Sequence, residues 1–212
     1  NVFARLVYGG CVAHLVGLLA AIITLCTGVP LGLISGYSDG FLGNLIMRIA
    51  DVQLSFPSMF IALVVLAIMG QGVDKLLIAL VLCGWVTYAR TVRGVTLSVK
   101  KMDYISACKT IGLPKFLIVL RHVMPNVITS VVVLATIQTG NFILTEATLS
   151  FLGVGVPVTQ PSLGLLVKNG FDVLFSGLWW ASVLPGLYIM LLVFGINLLG
   201  DFLRDELNPR LK

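Results

Sequence analysis

The chain has 212 residues, of which 58% are hydrophobic and only 11% charged, with a formal net charge of +5. Soluble domains carry about 25% charged and roughly 45–50% apolar residues, so a free cytosolic enzyme, a disordered protein and a disulfide scaffold are excluded. The balance points to an all-α polytopic membrane protein, a single transmembrane domain over residues 1–212.

A helix that crosses a bilayer needs about 20 mostly apolar residues. Five stretches meet or approach this. The first runs from about Cys11 to Ser35. Near its end Gly28, Gly32 and Gly36 recur at every fourth residue, forming a groove for close helix packing, and Pro30 predicts a kink. The second runs from about Val52 to Gly70, with Pro57 expected to interrupt it. The third starts near Leu76 and reaches Ala89, and it can extend if Arg90 and Arg93 snorkel to the interface.

Between the third and fourth stretches lie Arg90, Arg93, Lys100, Lys101, Lys109, Lys115 and Arg121, seven of the fourteen basic residues. Placing all of them in hydrocarbon would cost about 2.5–3.5 kcal/mol each, roughly 20 kcal/mol together. Residues 90–125 therefore read as a cytoplasmic loop. They lack the interleaved aromatics of a nucleic-acid platform, so no nucleic-acid partner is expected.

Asp103 is a good N-cap, Gly112 suits the left-handed position after a helix, and Pro114 cannot continue one. A short helix from Tyr104 to Ile111 is predicted. Pro114 should restart the chain at the first position of the next helix, and Pro125 should separate that piece from the fourth span. Such a rigid knob suits docking of a soluble partner. The competing reading is an amphipathic helix lying on lipid, against which residues 104–111 offer little bulk beyond Tyr104 and Ile111.

The fourth stretch runs from about Asn126 to Thr145, and Gln138, Asn141 and Glu146 fall on its outer half. They either line a water-filled path or make hydrogen bonds between helices. Residues 146–172, with one Lys and two acids, read as external. The fifth stretch, about Val173 to Gly200, is interrupted by Pro185, and the tail with Arg204, Arg210 and Lys212 is cytoplasmic. The charge pattern then leaves the N-terminus outside, which implies a further span before Asn1.

Cys11, Cys26, Cys83 and Cys108 have neither zinc nor redox spacing and read as small packing residues, and His14 and His122 are too far apart to suggest a metal site. An intramembrane hydrolase built on Ser55, Ser58 or Ser150 lacks a histidine placed beside them. A self-contained channel or secondary transporter would need a relay, for which only Glu146 and Asp51 are candidates. A structural anchor that only recruits a cytoplasmic partner is a further alternative.

Residues 103–125 resemble the Glu-Ala-Ala loop of ABC importer permeases. The matching positions are Ser106, Ala107, Cys108, Gly112, His122, Met124 and Pro125, with Ser106, Cys108 and His122 departing from the usual residue types. Other stretches resemble the second permease subunit of dipeptide, oligopeptide and nickel importers. These are Gly36-Tyr37 through Asp39, Met47-Arg48 to Asp51, Tyr88-Ala89-Arg90, Leu149 to Gly153, Pro161-Ser162 with Gly164, and Asn197 to Asp205 with Asn208 and Pro209. The resemblance implies a type I importer permease in the bacterial inner membrane, with its C-terminus cytoplasmic. It implies a homologous second permease, two cytoplasmic ATPases and an extracytoplasmic substrate-binding protein as partners. Asp103, Tyr104, Lys109, Leu113 and Pro114 join the matching positions as expected ATPase-coupling residues. No glycine-rich phosphate loop is present, so ATP and magnesium are expected on the partner subunits and no cofactor on this chain.

Overall fold

The computed structural model describes residues 2–38, 40–157 and 159–207, and every regular element among them is helical. Asn1, Asp39, Val158, Asn208, Pro209, Arg210, Leu211 and Lys212 lie outside the described residues, and with them the parts of the sequence reading that named them.

Helix α1 (Val2–Tyr37) continues through Pro30. A pair follows, α2 (Phe41–Leu54) and α3 (Ser58–Met69), bent by 88° at the Ser55–Phe56–Pro57 break. Pro57 caps α3 in an extended conformation, and its ring disfavours a helical Phe56 before it, so α2 does not run on into α3. The expected interruption at Pro57 is present, and the stretch over 52–70 holds the end of α2 and the whole of α3. At 12 residues α3 is only about 18 Å long, short of the roughly 30 Å hydrocarbon core.

Helix α4 (Val73–Val99) runs past Arg90 and Arg93 without a break. Then come the short α5 (Asp103–Thr110) and α6 (Lys115–Ile118), and a π turn over Val119–Val123 leads into α7 (Met124–Phe151). Pro125 does not separate the latter pieces. Residues Lys115–Phe151 form one helix of 37 residues, and Pro125 sits in the first turn of α7 immediately after the π turn. A proline ring collides with the carbonyl four residues back and lacks an N–H, and a widened turn relieves both conflicts without breaking the helix.

Helix α8 (Leu163–Asp172) and a 3₁₀ turn (Leu174–Ser176) precede α9 (Trp180–Leu207), which continues through Pro185. Among the described residues, four helices are thus long and apolar enough to cross a membrane, with the α2–α3 pair as a fifth, broken candidate.

The glycine groove of α1 receives α4. A Cβ added at Gly28 would lie 2.6 Å from the Cβ of Tyr88, one at Gly32 2.6 Å from that of Val92, and one at Gly36 2.7 Å from that of Thr96. The three contacts are four residues apart on both helices, so a ridge fits a row with no side chains. Glycines also seat α8, where Gly164 lies against the backbone of Ala147 and Gly170 against that of Ala181. Cys11 and Cys26, expected in the packing, are exposed on α1, a position that an apolar surround tolerates.

The two ends of the bundle differ. At one, α1 and α4 finish, α2 packs on α4, and α5 and α6 join α4 to α7. Here Arg90 pairs with Asp51, Arg93 donates to the carbonyl of Gly43 (3.1 Å), and Lys100 donates to that of Tyr37 (3.0 Å). Gln53 fastens α2 further, donating to the carbonyl of Leu82 (2.6 Å) and accepting from the Trp85 indole N–H (2.9 Å). This is the basic end. The opposite end carries the α3–α4 turn, residues 152–162 and α8.

Candidate functional site

At the basic end, Val99 closes α4 and a tight turn through Lys100 and Met102 leads into α5. Met102, in an extended conformation, is the N-cap, and Asp103 is the first helical residue with no side-chain capping bond. The expected capping role of Asp103 is corrected accordingly. Its carboxylate still favours the positive end of the helix. The other terminus follows the sequence reading. Gly112 has φ +83°, its N–H bonds to the carbonyl of Lys109 (3.0 Å), and the N–H of Leu113 bonds to that of Cys108 (3.1 Å). That pair of bonds is a Schellman motif. Pro114 is the N-cap of the next helix, which therefore starts one residue later than expected, and its carbonyl accepts the N–H of Leu117 (2.9 Å).

One side chain anchors α5. Ile105 is fully buried among Val99, Ile118 and Val123, and it went unnoticed in the sequence reading, which looked to Tyr104 and Ile111 for bulk. Ile111 is 79% exposed. The overlooked signal was position: Ile105 lies one turn before Cys108 and shares its inner face with Leu113. Asp103, Tyr104, Ser106, Ala107, Lys109, Gly112 and Pro114 stand exposed as a ridge, while Cys108 and Leu113 are half-buried. Tyr104 reaches back to His122, with ring centroids 6.4 Å apart, and its hydroxyl accepts from Asn126 Nδ2 (3.4 Å). Pro125 is exposed nearby in α7. The structure therefore gathers the candidate coupling residues around one short helix and the start of the next.

A cavity of about 410 Å³ lies between α3, α4 and α7, lined by Ser58, Thr87, Gln138 and Asn141 among others. Asn141 Nδ2 donates to Gln138 Oε1 (3.0 Å), so these two candidates act as a pair. Glu146 is placed apart from them. It is fully buried toward α8, and its Oε1 accepts from the hydroxyls of Ser150 and Ser162 (2.8 Å each). Its Oε2 has no hydrogen-bond partner among the described residues. Ser150 Oγ also accepts the N–H of Val156 (3.2 Å), so Glu146 ties the 152–162 segment to α7.

Residues 28–212 match the family described as binding-protein-dependent transport system inner membrane component. The chain belongs to this family. It is 35% identical over its whole length to a dipeptide transport system permease protein of Bacillus subtilis and covers 66% of that protein. It is also 35% identical to a glutathione transport system permease protein of Pectobacterium atrosepticum (70% covered). A di/tripeptide transport system permease protein of Pseudomonas aeruginosa is 36% identical (70% covered). A solved chain of the inward-facing MetNI methionine ABC transporter aligns over 97% of both chains, with a TM-score of 0.80 and 18% identity. That likeness shows an ABC importer permease fold for this member of the inner-membrane-component family.

Proposed function

We propose that this chain is a permease subunit of an ATP-driven importer, supplying half of a path for peptides or a related small solute such as glutathione or a nickel chelate. Its partners in this reading are a homologous permease, two cytoplasmic ATPases and an extracytoplasmic binding protein. The ATPases hydrolyse ATP, and this chain carries no catalysis. The basic end faces the cytoplasm, as the clustering of lysine and arginine there supports.

The observation that carries the reading is a connection. Helix α5 joins α4 to the Lys115–Phe151 helix, and these same helices line the Gln138–Asn141 cavity. The links on either side of α5 are tight turns closed by backbone hydrogen bonds. Force applied to the exposed ridge of α5 therefore reaches both walls of the cavity as rigid-body displacement. A partner ATPase that closes on nucleotide would pull this lever, with Ser106, Ala107 and Lys109 among the residues gripped.

The test is Gly112→Val in the full complex reconstituted with its ATPases and binding protein. Nothing lies within 4 Å of a Cβ at Gly112, so the variant acts through the backbone alone. A left-handed non-glycine residue costs about 1–2 kcal/mol. The expected result is substrate-stimulated ATP hydrolysis that no longer drives transport. Full coupling in the variant counts against the lever, and transport by this chain alone in vesicles would favour a self-contained channel.

A further inference from the structure

The cavity between α3, α4 and α7 has polar walls, and every polar group on them is neutral. Ser58 comes from α3, Thr87 from α4, and Gln138 with Asn141 from α7. None of the residues that line it is an acid, a lysine, an arginine or a histidine. The walls therefore offer hydrogen bonds rather than ion pairs, and the two side-chain amides of α7 decide which.

Gln138 and Asn141 stand three residues apart, on one face of the helix. The bond from Asn141 Nδ2 to Gln138 Oε1 (3.0 Å) ties the two amides together. It engages the acceptor of Gln138 and one donor of Asn141. What remains is Gln138 Nε2 and Asn141 Oδ1, and neither has a hydrogen-bond partner among the described residues. Gln138 is only 8% exposed, and an amide so buried is costly until something bonds to it. The pair thus sets a donor beside an acceptor at the wall of a hollow that both residues line.

A donor beside an acceptor is what one strand residue offers another. Antiparallel residues that face each other exchange both N–H···O bonds, because the N–H and C=O of one extended residue point to the same side. We propose that Gln138 and Asn141 take the part of such a facing residue and bind the main chain of an extended peptide. Gln138 Nε2 donates to the carbonyl of one peptide residue, and Asn141 Oδ1 accepts the N–H of that same residue. The site reads the backbone and leaves the side chains unread, which favours a peptide, glutathione included, over a metal chelate. Water serves the pair between solutes. Two neutral bonds hold weakly, as a path requires of a station that must also release. This assignment rests on the importer reading for its purpose, and it names the substrate class that the same cavity would pass.

The experiment reads Cys83, which lines the same cavity. The full complex is alkylated with N-ethylmaleimide in the presence of trialanine or of its depsipeptide, in which an ester oxygen replaces each amide N–H. Peptide mass spectrometry quantifies the modification at each cysteine. Trialanine should slow alkylation at Cys83 and leave it unchanged at Cys11 and Cys26, which are exposed on α1. The depsipeptide should need about tenfold more to give the same protection, as expected for a lost hydrogen bond that strands its acceptor. Gln138→Met with Asn141→Ala should abolish the difference between the two compounds, while Cys11 and Cys26 report a retained fold. Equal protection by both compounds in the unaltered chain overturns the proposal. So does a difference that survives the double substitution, or a Cys83 that trialanine does not protect or the reagent does not reach. Import of trialanine is measured separately. Uptake without protection removes this site and leaves the importer reading standing, and protection without uptake does the reverse.

Discussion

The two ends of this bundle are secured by different physics. At the end bearing residues 152–162, a buried carboxylate, two serine hydroxyls and glycine contacts lock the connecting segments onto the helices. At the basic end α5 stands outside the bundle on a single buried isoleucine, with its polar ridge free. Backbone at the first end has been taken out of solvent and must be satisfied within the protein. The second leaves its polar ridge in solvent on few buried contacts, so its local stability is low while its connecting turns are closed by backbone hydrogen bonds.

The largest expected effect lies at the locked end. A Cβ at Gly164 would fall on the backbone of Ala147, where no side chain can move aside. Gly164→Leu should cost about 3 kcal/mol or more, at the upper end of overpacking penalties. A thermal melt of the purified protein checks it. Gly94→Leu, where nothing lies within 4 Å of an added Cβ, should leave the melt almost unchanged.

Next comes the anchor of the exposed end. Ile105→Ala removes a fully buried side chain, a change that costs about 2–5 kcal/mol in a core. Because α5 hangs on this residue, the loss should appear as local undocking with little change in the global melt. Amide exchange should rise across 103–113 and stay unchanged in α1 and α9. If exchange rises everywhere, the two ends are not independent.

These two expectations came differently from the sequence. The long helices were readable because apolar runs and the glycine triplet Gly28, Gly32 and Gly36 are local signals, and Gly112 with Pro114 marked the end of α5. Pro57 announced the break between α2 and α3, but its 88° angle was hidden, since a run of uniform hydropathy gives no direction to the chain at Ser55–Phe56–Pro57. Helix α8 was missed because what seats it, Gly164 on Ala147 and Gly170 on Ala181, is tertiary. The role of Pro125 was misjudged because a π turn absorbs it, an adjustment that residue identity does not announce. In the candidate site, the short helix was legible from Gly112 and Pro114 and the set of candidate coupling residues from the resemblance, whereas Ile105 and the separation of Glu146 from Gln138 and Asn141 needed three dimensions.

Glu146 sharpens the contrast at intermediate size. Glu146→Ala leaves the hydroxyls of Ser150 and Ser162 without their acceptor and should cost about 1–3 kcal/mol. Glu146→Gln retains one acceptor oxygen and should recover most of that loss. Limited proteolysis of the 152–162 segment reads both. Equal protection in wild type and Glu146→Ala would show that packing of Leu163 and Val156 closes this end without the carboxylate.

The smallest effect belongs to the charged contacts of the basic end. Arg90 and Asp51 form an ion pair, but each side chain is 48% exposed. Exposed pairs contribute about 0.2–1 kcal/mol, since water screens the attraction and ordering two side chains opposes it. A double-mutant cycle with Arg90→Ala and Asp51→Ala, read by thermal melts, should return a coupling in that range and fall further in high salt. The neighbouring Gln53 bridge offers the control. Gln53 donates to the carbonyl of Leu82 and accepts from the Trp85 indole, and these neutral bonds do not respond to salt. If the Arg90–Asp51 coupling is large and insensitive to salt, the pair is shielded by a neighbour that covers α2. The basic end would then be as closed in the assembled complex as the opposite end is in this chain alone.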